Sequence, residues 1–380
     1  MSSLKIALFI SSLILINSNL ETPSLEEVMD YISTIVNKKS DIKDIRVWAL
    51  EQSYNHQLKP SVAKYLFEDI NMVENIAPIE NENRPGDVHE KVYICVHDTG
   101  DFSFNAQQWS NIVYTNKIGD RAYDVSYQYI VGNDGYYHNI PDNETAWHAG
   151  DGTSPASYFD EYPTNLFGTN EKPHVSISPD GNYTLDGQIS NITAPTKNGQ
   201  ILTEEYINDL GIFTSIKDGQ YYIGNTWYSS SYDKIANKGG NVNSIGIESC
   251  VNKGSDIYLT MQRLAKLVAF KVDEYNLGFD RIVQHHYFSG KDCPQTMRTE
   301  GYWNHFLDLV KVEYQMLKYK QLGFKIEFES YNPDYVDKLG RVIKRGKRIA
   351  VNAHYLIRVI DPEGKTLAKE FSTAIPPELF

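Results

Sequence analysis

The fold of this chain is decided by one stretch, Ile282-Val283-Gln284-His285-His286-Tyr287-Phe288-Ser289-Gly290-Lys291-Asp292-Cys293-Pro294. It places two imidazoles, a thiol and an ammonium group close together, directly after an amphipathic helix and a short apolar strand. Zn²⁺ binds imidazole nitrogen at about 2.0–2.1 Å and thiolate sulfur at about 2.3 Å, and a hydrolytic site uses three protein ligands and one water. Adjacent residues on a strand point to opposite faces, so only one of His285 and His286 can be a ligand. The third ligand must then come from elsewhere in the chain.

His97 is the best candidate for that third ligand. It lies in Lys91-Val92-Tyr93-Ile94-Cys95-Val96-His97-Asp98-Thr99-Gly100, where an apolar run rich in β-branched and aromatic residues ends in a polar turn. This pattern predicts a buried strand with His97 at its C-terminal end. Open α/β sheets place their sites at the ends of strands, so we expect His97 to face the zinc site.

Five motifs in a fixed order resemble one known family. They are the His97 strand, Ser126-Tyr127-Gln128-Tyr129-Ile130-Val131 with Asp134-Gly135, Ala146-Trp147-His148-Ala149-Gly150, Asn243-Ser244-Ile245-Gly246-Ile247-Glu248, and His285 through Pro294. Together they resemble the zinc-dependent N-acetylmuramoyl-L-alanine amidases, that is, the type 2 amidases of bacteria and phages and the animal peptidoglycan recognition proteins. The resemblance covers roughly residues 85–315. It implies an α/β fold with a mixed central β-sheet flanked by helices.

The resemblance also implies a metal centre and a substrate. Its spacing from His to Cys selects His285, so one Zn²⁺ is expected on His97, His285 and Cys293, with His286 left to packing or support. The expected reaction is hydrolysis of the amide between the lactyl group of N-acetylmuramic acid and the L-alanine of the peptidoglycan stem peptide.

Other residues are expected to act around the metal. Glu248 interrupts an apolar strand, where a carboxylate is costly without a task, so we expect a raised pKa and a general acid–base role. Lys291 is the expected cation for the developing oxyanion, and Tyr127 an additional hydrogen-bond donor to it. The resemblance suggests substrate contacts for Trp147 and His148, while a structural hydrogen-bonding histidine is an equal alternative at 148.

The sequence departs from compact relatives in two places. Gln128 stands where relatives often have His. About 90 residues, roughly 151–240, replace a short loop and are rich in turn residues, which predicts a partly ordered insertion along one rim of the cleft. Within it, Ile201 to Phe213 suggests a short helix and Gln220 to Trp227 a strand.

The remaining pattern predicts the domain organisation. We expect a signal peptide at 1–20, with an uncleaved anchor or a buried N-terminal element as the alternative. A helical region at 21–80, the zinc amidase domain at 85–320 and a small β-rich module at 324–380 are expected to follow. Within the amidase domain, apolar periodicity predicts helices from Phe104 to Asn116 and from Thr260 to Tyr275, with Thr260 as N-cap.

Composition limits the partners and the compartment. The formal charge of −13 argues against nucleic acid, which requires a basic surface. Three cysteines cannot form a disulfide framework; Cys95 and Cys250 are expected to be small buried groups, with a bridge between them as the alternative. We expect a secreted or envelope-associated monomer whose partner is peptidoglycan, with no membrane partner after signal cleavage.

Two other functional classes stay open at this stage. A peptidoglycan-binding protein without turnover would keep the fold and lose the metal, but such proteins typically lack the cysteine ligand. A cysteine hydrolase built on Cys293 and His285 would leave His97 unexplained, and Cys293 lacks the setting that activates a nucleophilic thiol.

Overall fold

A computed structural model describes residues 22–37, 61–150, 158–194, 196–197, 200–201, 212–226, 239–289, 291–299, 302–375 and 377. The α-helices in these residues are α1 (Leu25–Asn37), α2 (Ala106–Thr115), α3 (Gly239–Asn243), α4 (Ile257–Glu274), α5 (His285–Ser289), α6 (Gln295–Thr299) and α7 (Trp303–Gln321). The strands are β1 (Met72–Glu74), β2 (Tyr93–Asp98), β3 (Lys117–Ile118), β4 (Arg121–Ala122), β5 (Tyr129–Gly132), β6 (Gly135–His138), β7 (Tyr158–Phe167), β8 (Val175–Ile177), β9 (Asn182–Leu185), β10 (Gln188–Thr193), β11 (Thr196–Lys197), β12 (Gln200–Ile201), β13 (Ile212–Lys217), β14 (Gln220–Thr226), β15 (Ser244–Ser249), β16 (Ile282–Gln284), β17 (Lys325–Ser330), β18 (Val351–Ile360) and β19 (Thr366–Ile375).

A six-stranded sheet in the order β1-β6-β5-β15-β2-β16 forms the centre of the molecule. Strand β2 pairs in parallel with β15 and β16, β15 also pairs in parallel with β5, and β5 and β6 form an antiparallel hairpin. Buried parallel strands are apolar on both faces, which explains why the run that ends at His97 is apolar almost throughout. The predicted fold class, a mixed sheet flanked by helices, is confirmed.

The two faces of the central sheet carry different kinds of residue. Ile94 and Val96 of β2 and Ile247 of β15 belong to the apolar core that α4 and α7 cover. Side chains alternate along a strand, so the residues between them face the other way. His97 and Glu248 are partners in the β2–β15 register and therefore share that second face.

Helix α4 begins three residues earlier than the sequence analysis predicts. Its N-cap is Asp256, whose carboxylate accepts the backbone N–H groups of Tyr258 and Leu259 at 3.1 and 3.3 Å. Thr260 lies inside the first turn, and its hydroxyl accepts a hydrogen bond from the Asn133 side chain. The predicted N-cap was wrong because a carboxylate at an N-cap outcompetes a buried threonine four residues later.

The predicted helix after the His97 strand is confirmed as α2. Asn105 caps it in a reciprocal capping box with Gln108, and Asn116 ends it in the left-handed conformation. The hairpin predicted from Asp134-Gly135 is also present, as β5 and β6.

The two ends of the described chain share a second core. Val28 and Ile32 of α1 pack with Tyr355 and Ile357 of β18, and Met316 of α7 joins them. Strands β17, β18 and β19 form the antiparallel sheet predicted at 324–380. The helical region predicted at 21–80 is helical only over α1 in the described residues. Residues 62–65 form turns and bends, 38–60 lie outside the description, and β1 joins the central sheet.

The insertion between residues 151 and 240 is β-rich where it is described. Strands β8, β9 and β10 form one sheet, and β7, β13 and β14 form another. The strand predicted at Gln220 is confirmed as β14. Most of the helix predicted from Ile201 to Phe213 lies outside the described residues, and its last two residues belong to strand β13 instead.

The structure tests the predictions on the signal segment and on the cysteines only in part. The predicted signal segment at 1–20 lies outside the described residues. No helix in the described part of the chain is long and apolar enough to cross a bilayer. All three cysteines are buried and free, so the Cys95–Cys250 bridge is absent.

Candidate metal centre and active site

Three side chains from distant parts of the chain meet at one edge of the central sheet. His97 lies near the C-terminal end of β2, His285 is the first residue of α5, and Cys293 lies in the turn before α6. Nδ1 of His285 is 3.1 Å from Nδ1 of His97, and Sγ of Cys293 is 3.6 Å from the same His97 nitrogen. All three residues are at least 95% buried, and their ligand atoms lie within 4.8 Å of one another.

These distances fit a tetrahedral zinc site. With Zn–N near 2.05 Å and Zn–S near 2.3 Å, tetrahedral angles place two nitrogens about 3.3 Å apart and nitrogen and sulfur about 3.6 Å apart. Two Nδ1 atoms and one thiol also form a donor set that suits zinc. His97, His285 and Cys293 therefore fit the metal that the sequence predicts.

His285 and His286 do not lie on a strand, as the sequence analysis assumed. Strand β16 ends at Gln284, where its pairing with β2 ends, and both histidines belong to α5. His286 turns away from His97: its N–H donates to the carbonyl of Cys293, and its Nδ1 lies 3.2 Å from the carbonyl of Lys291. The predicted alternation of these two histidines on a strand was wrong. His285 is still the histidine beside His97.

Buried polar contacts hold the segment that carries the cysteine. The carboxylate of Asp98, the residue after His97, accepts hydrogen bonds from the backbone N–H and the hydroxyl of Thr296 at 2.7 and 2.6 Å. Arg298 forms an ion pair with Asp292 at 2.9 Å. These supports were not predicted from the sequence, although an acidic residue directly after a predicted ligand was a usable signal for Asp98.

Glu248 lies beside the predicted ligands. Its Oε1 is 3.7 Å from Nδ1 of His97, and its Oε2 is buried without a hydrogen-bond partner among the described residues. Burial is the main reason that its pKa lies well above the ordinary value for Glu, the charge of Asp98 adds to the shift, and Lys291 opposes it. The direction of this shift is the one expected from the sequence, and the acid–base role of Glu248 stays a prediction.

Lys291 and Tyr127 both lie near this carboxylate. The charge of Lys291 lowers the pKa values of His97, His285, Cys293 and Glu248. The Tyr127 hydroxyl is buried without a hydrogen-bond partner in the described structure, and burial raises its pKa, with a contribution from Glu248. Their roles toward substrate stay predictions.

Trp147 and His148 have different environments although they are neighbours in sequence. The Trp147 side chain is 39% exposed and is available to a ligand. His148 is buried, and its Nδ1 lies 2.9 Å from Nε2 of His97, on the side opposite the metal ligands. The His148 side chain is therefore not exposed for the substrate contact that was predicted.

Cys95 lies on the same side of His97 as His148. Its Sγ is 3.2 Å from Nε2 of His97, so Cys95, His97 and His148 form a second group with metal-ligand spacing. Burial raises the pKa of the Cys95 thiol well above the usual range, which favours the neutral form. The sequence predicted Cys95 as a small buried group, and this contact was not expected.

Gln128 has a structural task in this fold. Its side-chain amide donates to the carbonyl of Glu144 at 2.9 Å and accepts the N–H of Gly246 at 2.7 Å. It thereby links β15 to the segment that leads to Trp147. Both hydrogen bonds of Gln128 therefore go to backbone groups of the fold.

Comparison with known proteins identifies the family of this chain. Residues 89–296, more than half of the chain, match the family model described as N-acetylmuramoyl-L-alanine amidase. The chain is 21% identical to the N-acetylmuramoyl-L-alanine amidase CwlH of Bacillus subtilis over 239 residues, which are 63% of this chain and 60% of CwlH. It is 33% identical to CwlA of the same organism over 95 residues, or 24% of this chain and 34% of CwlA.

A structural comparison finds the catalytic domain of XlyA, with a TM-score of 0.38 and 20% identity over 63% of this chain and 99% of that domain. The chain spans less than two thirds of the full length of CwlH and about half of XlyA. The family match covers all three predicted ligands and Glu248. This chain belongs to the N-acetylmuramoyl-L-alanine amidase family.

Proposed function

We propose that this protein is a zinc-dependent N-acetylmuramoyl-L-alanine amidase. Its substrate would be peptidoglycan, and the bond cleaved would be the amide between the lactyl group of N-acetylmuramic acid and L-alanine. The observation that carries the proposal is the meeting of His97, His285 and Cys293 at tetrahedral spacing beside Glu248. Family membership supports it, and so do the names of CwlH and XlyA.

The residues divide the chemistry among themselves. His97, His285 and Cys293 would hold one zinc ion, which when bound acidifies a water and polarises a carbonyl. Glu248 takes a proton from the attacking water and passes it to the leaving amine of L-alanine, a role that suits its raised pKa.

Charge develops on the carbonyl oxygen as the water attacks. Lys291 stabilises this charge electrostatically, in a site whose burial strengthens the interaction. Tyr127 contributes its hydroxyl hydrogen to the same oxygen. Trp147 offers an exposed indole face to the sugar or peptide next to the scissile bond.

The proposed substrate also indicates the compartment in which the protein works. Peptidoglycan lies outside the cytoplasmic membrane, so an enzyme with this activity works in the secreted or cell-envelope compartment, as a monomer in our proposal. The chain's charge of −13 speaks against nucleic acid as a competing partner.

A cysteine hydrolase fits the structure less well than a metalloenzyme. Burial raises the pKa of the Cys293 thiol, whereas a nucleophilic cysteine needs a lowered pKa. A divalent cation at this position would stabilise the thiolate that metal binding requires.

Metal analysis and product mass spectrometry on purified protein test the proposal. We expect about one zinc per chain and release of stem peptides with a free L-alanine amine, at rates lowered by about 10²–10⁴-fold in Glu248→Gln. Glu248→Gln should retain zinc, and Cys293→Ser should lose both zinc and turnover. Binding of peptidoglycan without peptide release by the zinc-loaded wild type would identify a recognition protein instead, and full activity in Cys293→Ser would exclude the metal centre.

A further inference from the structure

The side of the His97 ring that faces away from Cys293 and His285 also makes close polar contacts. Its Nε2 is 2.9 Å from Nδ1 of His148 and 3.2 Å from Sγ of Cys95. The two imidazole rings meet edge to face, with an interplanar angle of 85°. His97 is 1% exposed, so no solvent reaches this nitrogen to compete for its hydrogen bond.

The proton on His97 decides which of its nitrogens can bind a metal. A neutral imidazole has one N–H and one lone pair, and only the nitrogen with the lone pair is a ligand. If Nε2 carries the hydrogen, Nδ1 is left for a metal beside His285 and Cys293. A hydrogen-bond acceptor at Nε2 selects this tautomer and fixes the ring plane at the same time.

His148 is suited to be that acceptor. Nitrogen accepts a hydrogen bond better than a thiol sulfur does, and the contact to His148 is the shorter of the two. If Nδ1 of His148 accepts, its Nε2 carries hydrogen. This Nε2 is buried, and no hydrogen-bond partner for it is found among the described residues.

Two contacts position His148, one through its backbone and one through its ring. The side-chain oxygen of Asn241 accepts the backbone N–H groups of His148 and Ala149 at 2.7 and 2.6 Å. The ring lies against Gly246 of β15, where an added Cβ would be 2.7 Å from ring carbons. Gly246 is thus required as glycine because a side chain would displace the ring.

We propose that His148 is a positioning residue that accepts the Nε2–H of His97 and thereby directs the Nδ1 lone pair of His97 to the metal. The inference rests on the proposed function, since it takes His97, His285 and Cys293 as the ligands. It assigns the group of Cys95, His97 and His148 to support of the ligand and not to a second metal site. Cys95 is then a neighbour of the hydrogen bond and not a participant.

Zinc affinity tests this inference without reference to turnover. The zinc dissociation constant of each purified variant is measured by competition with a chromogenic chelator, and folding is checked by thermal unfolding of the metal-free protein. His148→Phe fills the space but has no acceptor, and we expect it to bind zinc about 10–100-fold more weakly. His148→Asn can place an oxygen near the position of Nδ1 and should recover most of the affinity.

Cys95→Ala is the matched control, because it removes the other atom that contacts Nε2 of His97. We expect wild-type zinc affinity in this variant. Zinc binding by His148→Phe equal to that of wild type would overturn the inference, and so would loss of affinity in Cys95→Ala with no change in His148→Phe.

If His148→Phe binds zinc as tightly as wild type while Cys293→Ser loses zinc, the inference fails and the proposed function stands. Zinc retained in Cys293→Ser but lost in Cys95→Ala would move the metal to the other side of His97 and remove the basis of both. Should the His148 variants not unfold cooperatively, Gly246→Ala serves as the second variant, because its added methyl group presses on the ring. Wild-type zinc affinity in Gly246→Ala would then contradict the inference.

Discussion

In the proposed mechanism, the charge of Lys291 acts at two steps of the reaction. It lowers the pKa of Glu248, which burial raises, and it lies close enough to the predicted ligands to act on their pKa values too. The same ammonium group is therefore available both to a carboxylate that exchanges protons and to an oxyanion.

Replacement of Lys291 by Met should have two separable effects. Loss of oxyanion stabilisation should lower kcat about 10²–10³-fold. Loss of a neighbouring positive charge should raise the pKa of Glu248 further, so the acidic limb of the kcat–pH profile moves to higher pH because Glu248 must be ionised to accept a proton. Lys291→Arg, which keeps the charge, should leave the limb near its wild-type position; a limb that does not move in Lys291→Met would contradict this account.

Residues that break a local rule were the ones that the sequence revealed. Glu248 is a carboxylate in an apolar strand, and His97 ends a buried run, so each was conspicuous without a structure. Asn241 and Gln128 act through hydrogen bonds to backbone groups of other elements, and nothing in their sequence surroundings shows this. His148 was found by its motif, but whether it faced substrate or ligand depended on the position of Gly246, which only the fold provides.

At the level of elements, helices α4 and α7 are joined by a buried ion pair. Lys266 of α4 donates to Glu313 of α7 at 2.6 Å, and the other oxygen of Glu313 accepts the backbone N–H of Leu66 at 3.2 Å. The ammonium group also lies 4.4 Å from the centre of the Tyr65 ring. Each partner therefore satisfies a buried charge that would otherwise be costly.

Removal of one partner should destabilise the protein much more than removal of both. Glu313→Leu leaves a buried ammonium group and a buried N–H without an acceptor, and we expect a loss of about 3–5 kcal/mol in the free energy of unfolding. Lys266→Met combined with Glu313→Leu should recover most of this loss. Urea unfolding followed by circular dichroism measures both variants, and a single variant as stable as wild type would show that the pair is not buried as the structure has it.

Elements with strong periodicity were predicted well, and their ends were not. Helix α4 and the β5–β6 hairpin follow directly from apolar spacing and from Asp134-Gly135. The start of α4 and the change from strand to helix at His285 depended on competition between Asp256 and Thr260 and on where β16 loses its partner. Both are decided by contacts outside the local sequence.

The whole molecule brings together parts of the chain that its sequence keeps far apart. The Tyr355 hydroxyl donates to the carbonyl of Val62 at 3.2 Å, and the Lys369 ammonium group donates to the Ser33 hydroxyl at 2.8 Å. Periodicity predicted the N-terminal helix and the C-terminal sheet separately, but it contains no information on which apolar faces meet. For this reason the shared core was not expected from the sequence.

The residues of the candidate metal centre are also far apart in the sequence. His97 is separated from His285 by 188 positions and from Cys293 by 196, so the three meet only in the folded chain. Their order along the sequence could be matched to a family, but their distances could not be derived from it. The central claim therefore concerns the folded molecule, and it is that these three side chains bind one zinc ion.

X-ray absorption at the zinc K-edge on the purified protein tests that claim most directly. The account predicts one sulfur at about 2.3 Å and two imidazole nitrogens at about 2.0–2.1 Å, with the sulfur retained in Cys95→Ala and lost in Cys293→Ser. A zinc ion without a sulfur neighbour in the wild type, or one whose sulfur disappears in Cys95→Ala, would contradict it.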